Sequence, residues 1–269
     1  MYWKLVKPGI IMGNLITAMG GFFLGRGGHG FVQMMVGLGF VIAAACVCNN
    51  YIDRESDQKM ERTKNRPVIS LTKMFVLASS LGLIGFSILL TINMLTALIA
   101  FVGFFVYVFL YSFIKYHSDW AALVGSVSGA LPPVVGYCAA TGRLDGGAFL
   151  LFSMLVFWQM PHFYAIALYR VHDYAAAGIP VLPITKGVHK TKVEMTLYVA
   201  AFLVTASLLT IYTSYTYLAI AILLGGSWLI LSLKGFKAGN DTRWARQMFI
   251  LSLIAIVGIS ATLALRIIL

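Results

Sequence analysis

Apolar side chains along this chain come in runs of some twenty residues, separated by short polar stretches. As a helix, a run of about 20 residues crosses the roughly 30 Å hydrocarbon core of a bilayer, and it satisfies its own backbone hydrogen bonds while doing so. Nine runs meet this description, near 9–28, 31–51, 73–91, 94–114, 119–140, 147–169, 194–213, 215–234 and 246–268. The brief gaps at Thr91 to Met94 and Thr213 to Thr216 leave open whether each adjoining pair is two spans or one. The pattern predicts an all-α chain, a polytopic bundle of about nine transmembrane helices, with residues 1–269 forming a single integral-membrane domain.

Composition agrees with the pattern. Of 269 residues, 60% are hydrophobic and 11% charged, with a mean hydropathy of +0.88, which places the chain among membrane proteins. With nine spans and the N-terminus inside, seventeen of the twenty lysines and arginines, from Lys4 and Lys7 to Arg246, fall on the inner side. Arg26, Arg143 and Arg266 fall outside. Cytoplasmic loops collect such cations, so the two long polar loops, near 52–72 and 170–193, are expected to face the cytoplasm.

The formal charge of +11 resides in loops flanking the spans. It lacks the basic, aromatic-interleaved surface of a nucleic-acid groove, so anionic lipid and an anionic substrate are the better partners. Cys46, Cys48 and Cys138 form no ligand pattern and read as packing residues without a disulfide. The positively charged start leads into an apolar run that contains Asn14 and continues toward another span, which reads as a first transmembrane helix rather than a cleaved signal. With no Arg-rich, Ser-rich presequence, a bacterial plasma membrane is the expected location. Gly21 with Gly25, and Gly125 with Gly129, are spaced for close helix packing. The two inner loops each follow an even-numbered span and carry acid plus base, a hint of pseudo-symmetric halves.

Chemistry concentrates at the end of the second span. Residues 46–67 hold four of the nine acids. Asn49, Asp53 and Asp57 fall at i, i+4 and i+8, on one face of a helix. Like charges four apart repel, and the arrangement becomes favourable around a divalent cation. The segment continues with Glu61, Arg62, Thr63, Lys64, Asn65, Arg66 and Pro67. Carboxylates that hold Mg2+ through hard oxygen contacts, beside cations that neutralise phosphate, are what a metal-bound diphosphate requires. A solvated loop laced with salt bridges is the plain alternative, but a polar ladder that starts inside an apolar run argues for function.

The second loop opens with Tyr169, Arg170, Val171, His172, Asp173 and Tyr174, and runs on through Ala177-Gly178-Ile179-Pro180 to Lys186 and Gly187. Asp173 is a candidate second metal ligand, and Arg170 and Lys186 are candidate phosphate contacts. On an unbroken helix Trp158, His162, Tyr169 and Asp173 share a face. His162, in Gln159-Met160-Pro161-His162-Phe163, lies below the inner surface, where either packing or a ligand role fits. His117 and His189 sit in loops on the same side.

The segment Asn49-Asn50-Tyr51-Ile52-Asp53-Arg54, with Asp57, Met60, Arg62 and Thr63, resembles the UbiA superfamily of intramembrane prenyltransferases. Tyr169-Arg170, Asp173-Tyr174, Ala177-Gly178-Ile179-Pro180, Pro161-His162-Phe163 and the stretch from Gly125 to Tyr137 resemble its heme-modifying branch, the protoheme IX farnesyltransferases or heme O synthases. That resemblance implies nine helices around a central cavity open toward the cytoplasmic face. It implies farnesyl transfer from farnesyl diphosphate to a vinyl group of heme B with addition of water, and Mg2+ as cofactor. Asn49, Asp53, Asp57 and Asp173 would hold the metal, and Arg54, Arg62, Arg66, Arg170 and Lys186 the diphosphate. His162, then His117, would contact heme iron or a propionate. Trp158, Tyr169 and Tyr137 would face the macrocycle or the allylic cation, a cation–π contact worth about 0.5–2 kcal/mol. Many relatives carry a second Asp-x-x-x-Asp; here Ala177 stands four residues after Asp173, so the second metal half is thinner. A heme-handling or terminal-oxidase assembly factor is a further candidate partner. A quinone-precursor prenyltransferase would use the same acidic device, and a secondary transporter would also place acids at helix ends, although polar residues gathered at one face fit transport poorly.

Overall fold

The computed structural model describes residues 5–265, so Lys4 and Arg266 of the charge count lie outside the described residues. Among the described residues every regular element is helical. The elements are α1 (Pro8–Leu24), α2 (Phe31–Ile52), α3 (Arg54–Lys59), α4 (Leu71–Leu90), α5 (Met94–Ile114), α6 (Ala121–Thr141), α7 (Gly146–Tyr169), α8 (Val171–Ala176), α9 (Leu182–Thr185), α10 (Gly187–Tyr212), α11 (Tyr215–Lys237) and α12 (Asp241–Leu265). Eight of these are at least 18 residues long and apolar enough to cross a membrane. The first, α1, has 17 residues, at the short end of what spans a bilayer. The bundle is a multi-pass membrane protein. The helix near 194–213 starts earlier, at Gly187, and the last starts at Asp241 instead of near 246.

Both doubtful gaps are true helix ends, because each supplies a cap. Asn93 Oδ1 accepts the Thr96 amide at 2.8 Å, and Ser214 Oγ accepts the Tyr217 amide at 3.3 Å. Such oxygens satisfy amides that the first turn leaves without a partner. Asp145 does the same for Gly147 at the start of α7.

Helix pairing follows the small residues. α2 packs mainly on α4, α6 on α1, α5 and α7, and α7 also on α10 and α12; α1 meets α12 to close the ring. At the crossing of α1 and α6, a Cβ on Gly21 would lie 1.9 Å from the Pro133 carbonyl oxygen, and one on Gly136 would lie 1.9 Å from that of Ala18. Gly37 and Gly85 make the corresponding approach between α2 and α4. With lipid as apolar as leucine, close backbone contact of this kind drives helix association in a bilayer. Large apolar side chains such as Leu83, Phe149 and Ile211 point outward, as they do where the solvent is hydrocarbon. Within α5, residues Val106–Tyr111 form a π-helical stretch. Insertions of this kind often accompany functional positions.

Candidate functional site

The helical ladder survives the end of α2. Asp53 donates its amide to the Asn49 carbonyl at 2.9 Å and Asp57 to that of Asp53 at 2.8 Å, so Asn49, Asp53 and Asp57 sit one turn apart although the chain bends at Asp53. All three line a cavity of about 410 Å³ at the loop-rich end of the bundle. Lys7, Arg62, Arg66, Lys115 and Asp119 line it too, with Tyr107, Tyr111, Tyr169, Tyr174, Phe163 and Phe249 among its aromatic walls. A narrower apolar cleft of about 90 Å³ continues inward between α1, α2, α5 and α6, sharing Ile10 and Tyr107 with the first cavity.

Each acid of the ladder meets a cation. Asp57 Oδ2 pairs with Arg66 Nη1 at 2.8 Å, the two side chains being 6% and 24% exposed. Asp53 pairs with Lys115, 10% and 8% exposed, and accepts the Tyr116 hydroxyl at 3.2 Å. Asn49 Oδ1 accepts from the Lys7 ammonium and from Tyr107 Oη at 3.1 Å, while Asn49 Nδ2 and Asn50 Nδ2 are buried without a partner. Burial raises the Tyr116 phenol above its ordinary pKa and does the same to Tyr174. Burial, then the charge of Arg66, lowers that of Lys7. The site is thus a mixed lattice of charges in a poorly hydrated setting, where a fixed cation acts strongly on any anion brought among them.

Among the described residues, no group of three or more His, Cys, Asp or Glu side chains stands at metal-binding spacing. An all-protein metal cage is therefore not what these residues form. They do fit Mg2+, which takes one or two carboxylates and completes its shell with water and substrate phosphate. The donor set of Asn49, Asp53 and Asp57 has that composition, on one face and open to one cavity.

The other sequence candidates go to different places. Asp173 does not line this cavity; its Oδ1 accepts the Glu61 amide at 3.1 Å, tying the second loop to the first, and its Oδ2 lies 3.7 Å from Arg170 Nη1. The cause is a break: the helix does not run on past Tyr169, because Arg170 adopts φ −118° and ψ 22° and α8 sets off anew. Trp158 and His162 are turned toward α12, where Trp158 Nε1 donates to the Ser252 carbonyl at 2.8 Å. His162 Nδ1 stands 2.7 Å from Ser252 Oγ, and its ring stacks on Trp158. Neither lines the cavity, whereas Tyr169 does, against Phe249. His117 is exposed, stacked on Phe113 with Nδ1 at the Phe113 carbonyl. Arg54 lies over the Tyr51 ring and reaches Glu55. Arg170 sits beside Tyr169, and Lys186 pairs with Asp119 at 3.2 Å. The three cysteines are free thiols, Cys46 and Cys138 buried and Cys48 half-buried.

Tyr137 lies at the opposite end of the bundle, where its hydroxyl donates to Asp145 Oδ1 at 2.8 Å, the oxygen that also caps α7. Tyr137→Phe is expected to change turnover less than about twofold and to cost about 1 kcal/mol of stability, the net worth of one hydrogen bond, measurable by a thermal scan in detergent. Lys7, Tyr107, Lys115 and Tyr116 were not singled out by the sequence pattern as site residues. Lys7 and Lys115 stand at span ends, where a cation reads first as a topology signal.

Comparison with known proteins agrees with this geometry. The model of the UbiA prenyltransferase family matches residues 14–254. The chain is 48% identical over 273 residues to the protoheme IX farnesyltransferase of Protochlamydia amoebophila, covering 97% of this chain and 96% of that protein. It is 45% identical over 276 residues to that of Serratia proteamaculans, covering 98% and 93%. Among solved structures, the fold is similar to one of digeranylgeranylglyceryl phosphate synthase, with TM-score 0.80 at 17% identity, covering 98% of this chain and 97% of that one. It is also similar to a UbiA homolog from Archaeoglobus fulgidus bound to GPP and Mg2+, with TM-score 0.70 at 12% identity, covering 98% and 99%. At such identities the solved structures speak for the fold alone. The chain belongs to the UbiA prenyltransferase family, and within it to the protoheme IX farnesyltransferases.

Proposed function

We propose that the chain transfers the farnesyl group of farnesyl diphosphate to a vinyl group of heme B, with addition of water, giving heme O and diphosphate. The observation that carries prenyl transfer is the Asn49–Asp53–Asp57 ladder, set among Lys7, Arg62, Arg66 and Lys115 at the mouth of an apolar bundle. The acceptor follows from the full-length similarity to protoheme IX farnesyltransferases. The relatives are bacterial, and the cation-rich loops surround the cavity end of the bundle. We therefore place the chain in a bacterial plasma membrane with its N-terminus and cavity toward the cytoplasm.

Asp53 and Asp57, with Asn49, would hold Mg2+. Bound there, the ion supplies charge neutralisation to the leaving diphosphate. Arg62, Arg66, Lys115 and Lys7 place further positive charge where the departing oxygens gain negative charge, with Arg66 and Lys115 fixed in advance by their ion pairs and Lys7 by its hydrogen bond to Asn49. The apolar cleft below Tyr107 takes the isoprenoid tail and keeps water from the allylic carbon as its bond to oxygen breaks. Tyr107 and Tyr111, stacked with ring centroids 5.6 Å apart, and Tyr169 offer ring faces to that cationic carbon. The terminal vinyl carbon bonds to it, and water adds at the neighbouring carbon with loss of one proton.

The test is to incubate the purified protein in detergent with heme B, a hydroxybenzoate as competing acceptor, farnesyl diphosphate and Mg2+, then weigh the extracted heme and benzoate. A gain of farnesyl plus water is expected. Unchanged heme beside a prenylated benzoate would move the chain to the quinone branch. Chelation with EDTA is expected to lower conversion at least about tenfold, with recovery on adding Mg2+ in excess. Full activity in EDTA would overturn the metal assignment.

A further inference from the structure

A second pocket adjoins the main cavity. It measures about 490 Å³ and is lined by Lys7, Gly9, Arg62, Asn65 and Arg66 with two apolar neighbours. Lys7, Arg62 and Arg66 line both spaces, so they form the partition between them. The two sides of that partition differ in charge. Asp53, Asp57 and Asp119 line the main cavity, and no carboxylate lines the side pocket. Of the three partition cations, among the described residues, only Arg66 is held in an ion pair.

Lys7 is built into this position at a cost. Its backbone is left-handed, with φ 51° and ψ 67°, a conformation uncommon for a residue with a side chain. Strain of this kind persists where the surroundings impose it and clusters at ligand clamps. The conformation lets the ammonium reach the neutral amide oxygen of Asn49. A cation so placed, beside an arginine and without an acid partner, favours an incoming anion.

We propose that this side pocket is a second anion site, which receives inorganic pyrophosphate leaving the main cavity, with Lys7 shared by both positions. The proposal rests on the reading of the main cavity as the diphosphate site. Its ligand chemistry, an anionic phosphate group, is shared by an anionic lipid headgroup. The partition favours pyrophosphate, because the same three cations face the space where that product is formed.

The test uses the full-length protein in lipid-free detergent, saturated with Mg2+ and the unreactive S-thiolo analogue of farnesyl diphosphate, and titrated with pyrophosphate in a calorimeter. One further pyrophosphate is expected to bind. Gly9→Glu brings a carboxylate to the side pocket alone: a Cβ there meets nothing within 4 Å, and an acid in the first turn suits the helix. It is expected to weaken that binding about tenfold or more through like-charge repulsion, with the affinity for the analogue unchanged. Analogue binding without a further pyrophosphate overturns the proposal alone, as does equal pyrophosphate affinity in Gly9→Glu. Failure of the analogue to bind overturns the reading of the main cavity, and this one with it. Occupation by phosphatidylglycerol, added at equimolar amount, that excludes pyrophosphate assigns the pocket to a lipid headgroup and overturns the assignment to product.

Discussion

Asp53→Asn and Asp57→Asn are each expected to lower heme O formation by about 100-fold or more, the scale seen when a preorganised electrostatic contact is removed from a reacting site. The asparagine variants keep the side-chain volume and delete only the charge. Their effects on stability should differ, and the difference identifies the ion pairs. Asp53→Asn strands Lys115, which is 8% exposed, and leaving a buried charge without its partner costs about 3–5 kcal/mol. Asp57→Asn strands Arg66, which is 24% exposed; water recovers part of the loss, so the cost should be smaller. Heme mass after a fixed incubation reads the first effect and a thermal scan in detergent reads the second. Wild-type turnover in both variants would refute the metal–diphosphate reading, whatever the thermal scans show.

Gly136→Ala, like Gly21→Ala, is expected to be among the most damaging one-carbon changes in the bundle. The added Cβ would stand 1.9 Å from the Ala18 carbonyl oxygen, and a backbone atom has no rotamer into which it can retreat. α1 must then back away from α6. Overpacking of this kind costs about 1–3 kcal/mol, occasionally more. Because α1 begins at Pro8, directly after Lys7, the same displacement should also disturb the cavity wall. Gly226→Ala is the matched control, since its Cβ would meet nothing within 4 Å, and alanine in an open helical position is favourable by about 0.5–1 kcal/mol. The pair is compared by thermal aggregation in the same detergent. Equal midpoints for the two variants would mean that the tight crossing contributes nothing to stability.

Much of the architecture was legible because hydrocarbon imposes one rule on every span. The nine runs correspond to the nine long helices among the described residues. What pattern left open was settled by single polar atoms, as at Asn93 and Ser214, whose caps end one span and start the next. The acidic face was legible for the same reason, because carboxylates one turn apart at the end of an apolar run have few other uses. Periodicity names a face without naming what the face meets. Trp158 and His162 share a side of α7, and that side meets Ser252 of α12. Asp173 was expected on the same wall, but the break at Arg170 carried it to Glu61. The basic lining was hardest to read. Lys7 and Lys115 reach the cavity from elements far apart in sequence, and only the packing of α1 and α5 against α2 brings them to Asn49 and Asp53.

The pairing of Asp53 with Lys115 and of Asp57 with Arg66 bears on the order in which ligands arrive. A solitary divalent ion must prise each aspartate from a lysine or arginine already gripping it, leaving those bases stranded. An ion escorted by an isoprenoid pyrophosphate brings new counter-charges for the displaced bases, so the exchange conserves electrical balance. Metal and donor should consequently reinforce one another's affinity, and by thermodynamic reciprocity each should tighten the other by the same factor.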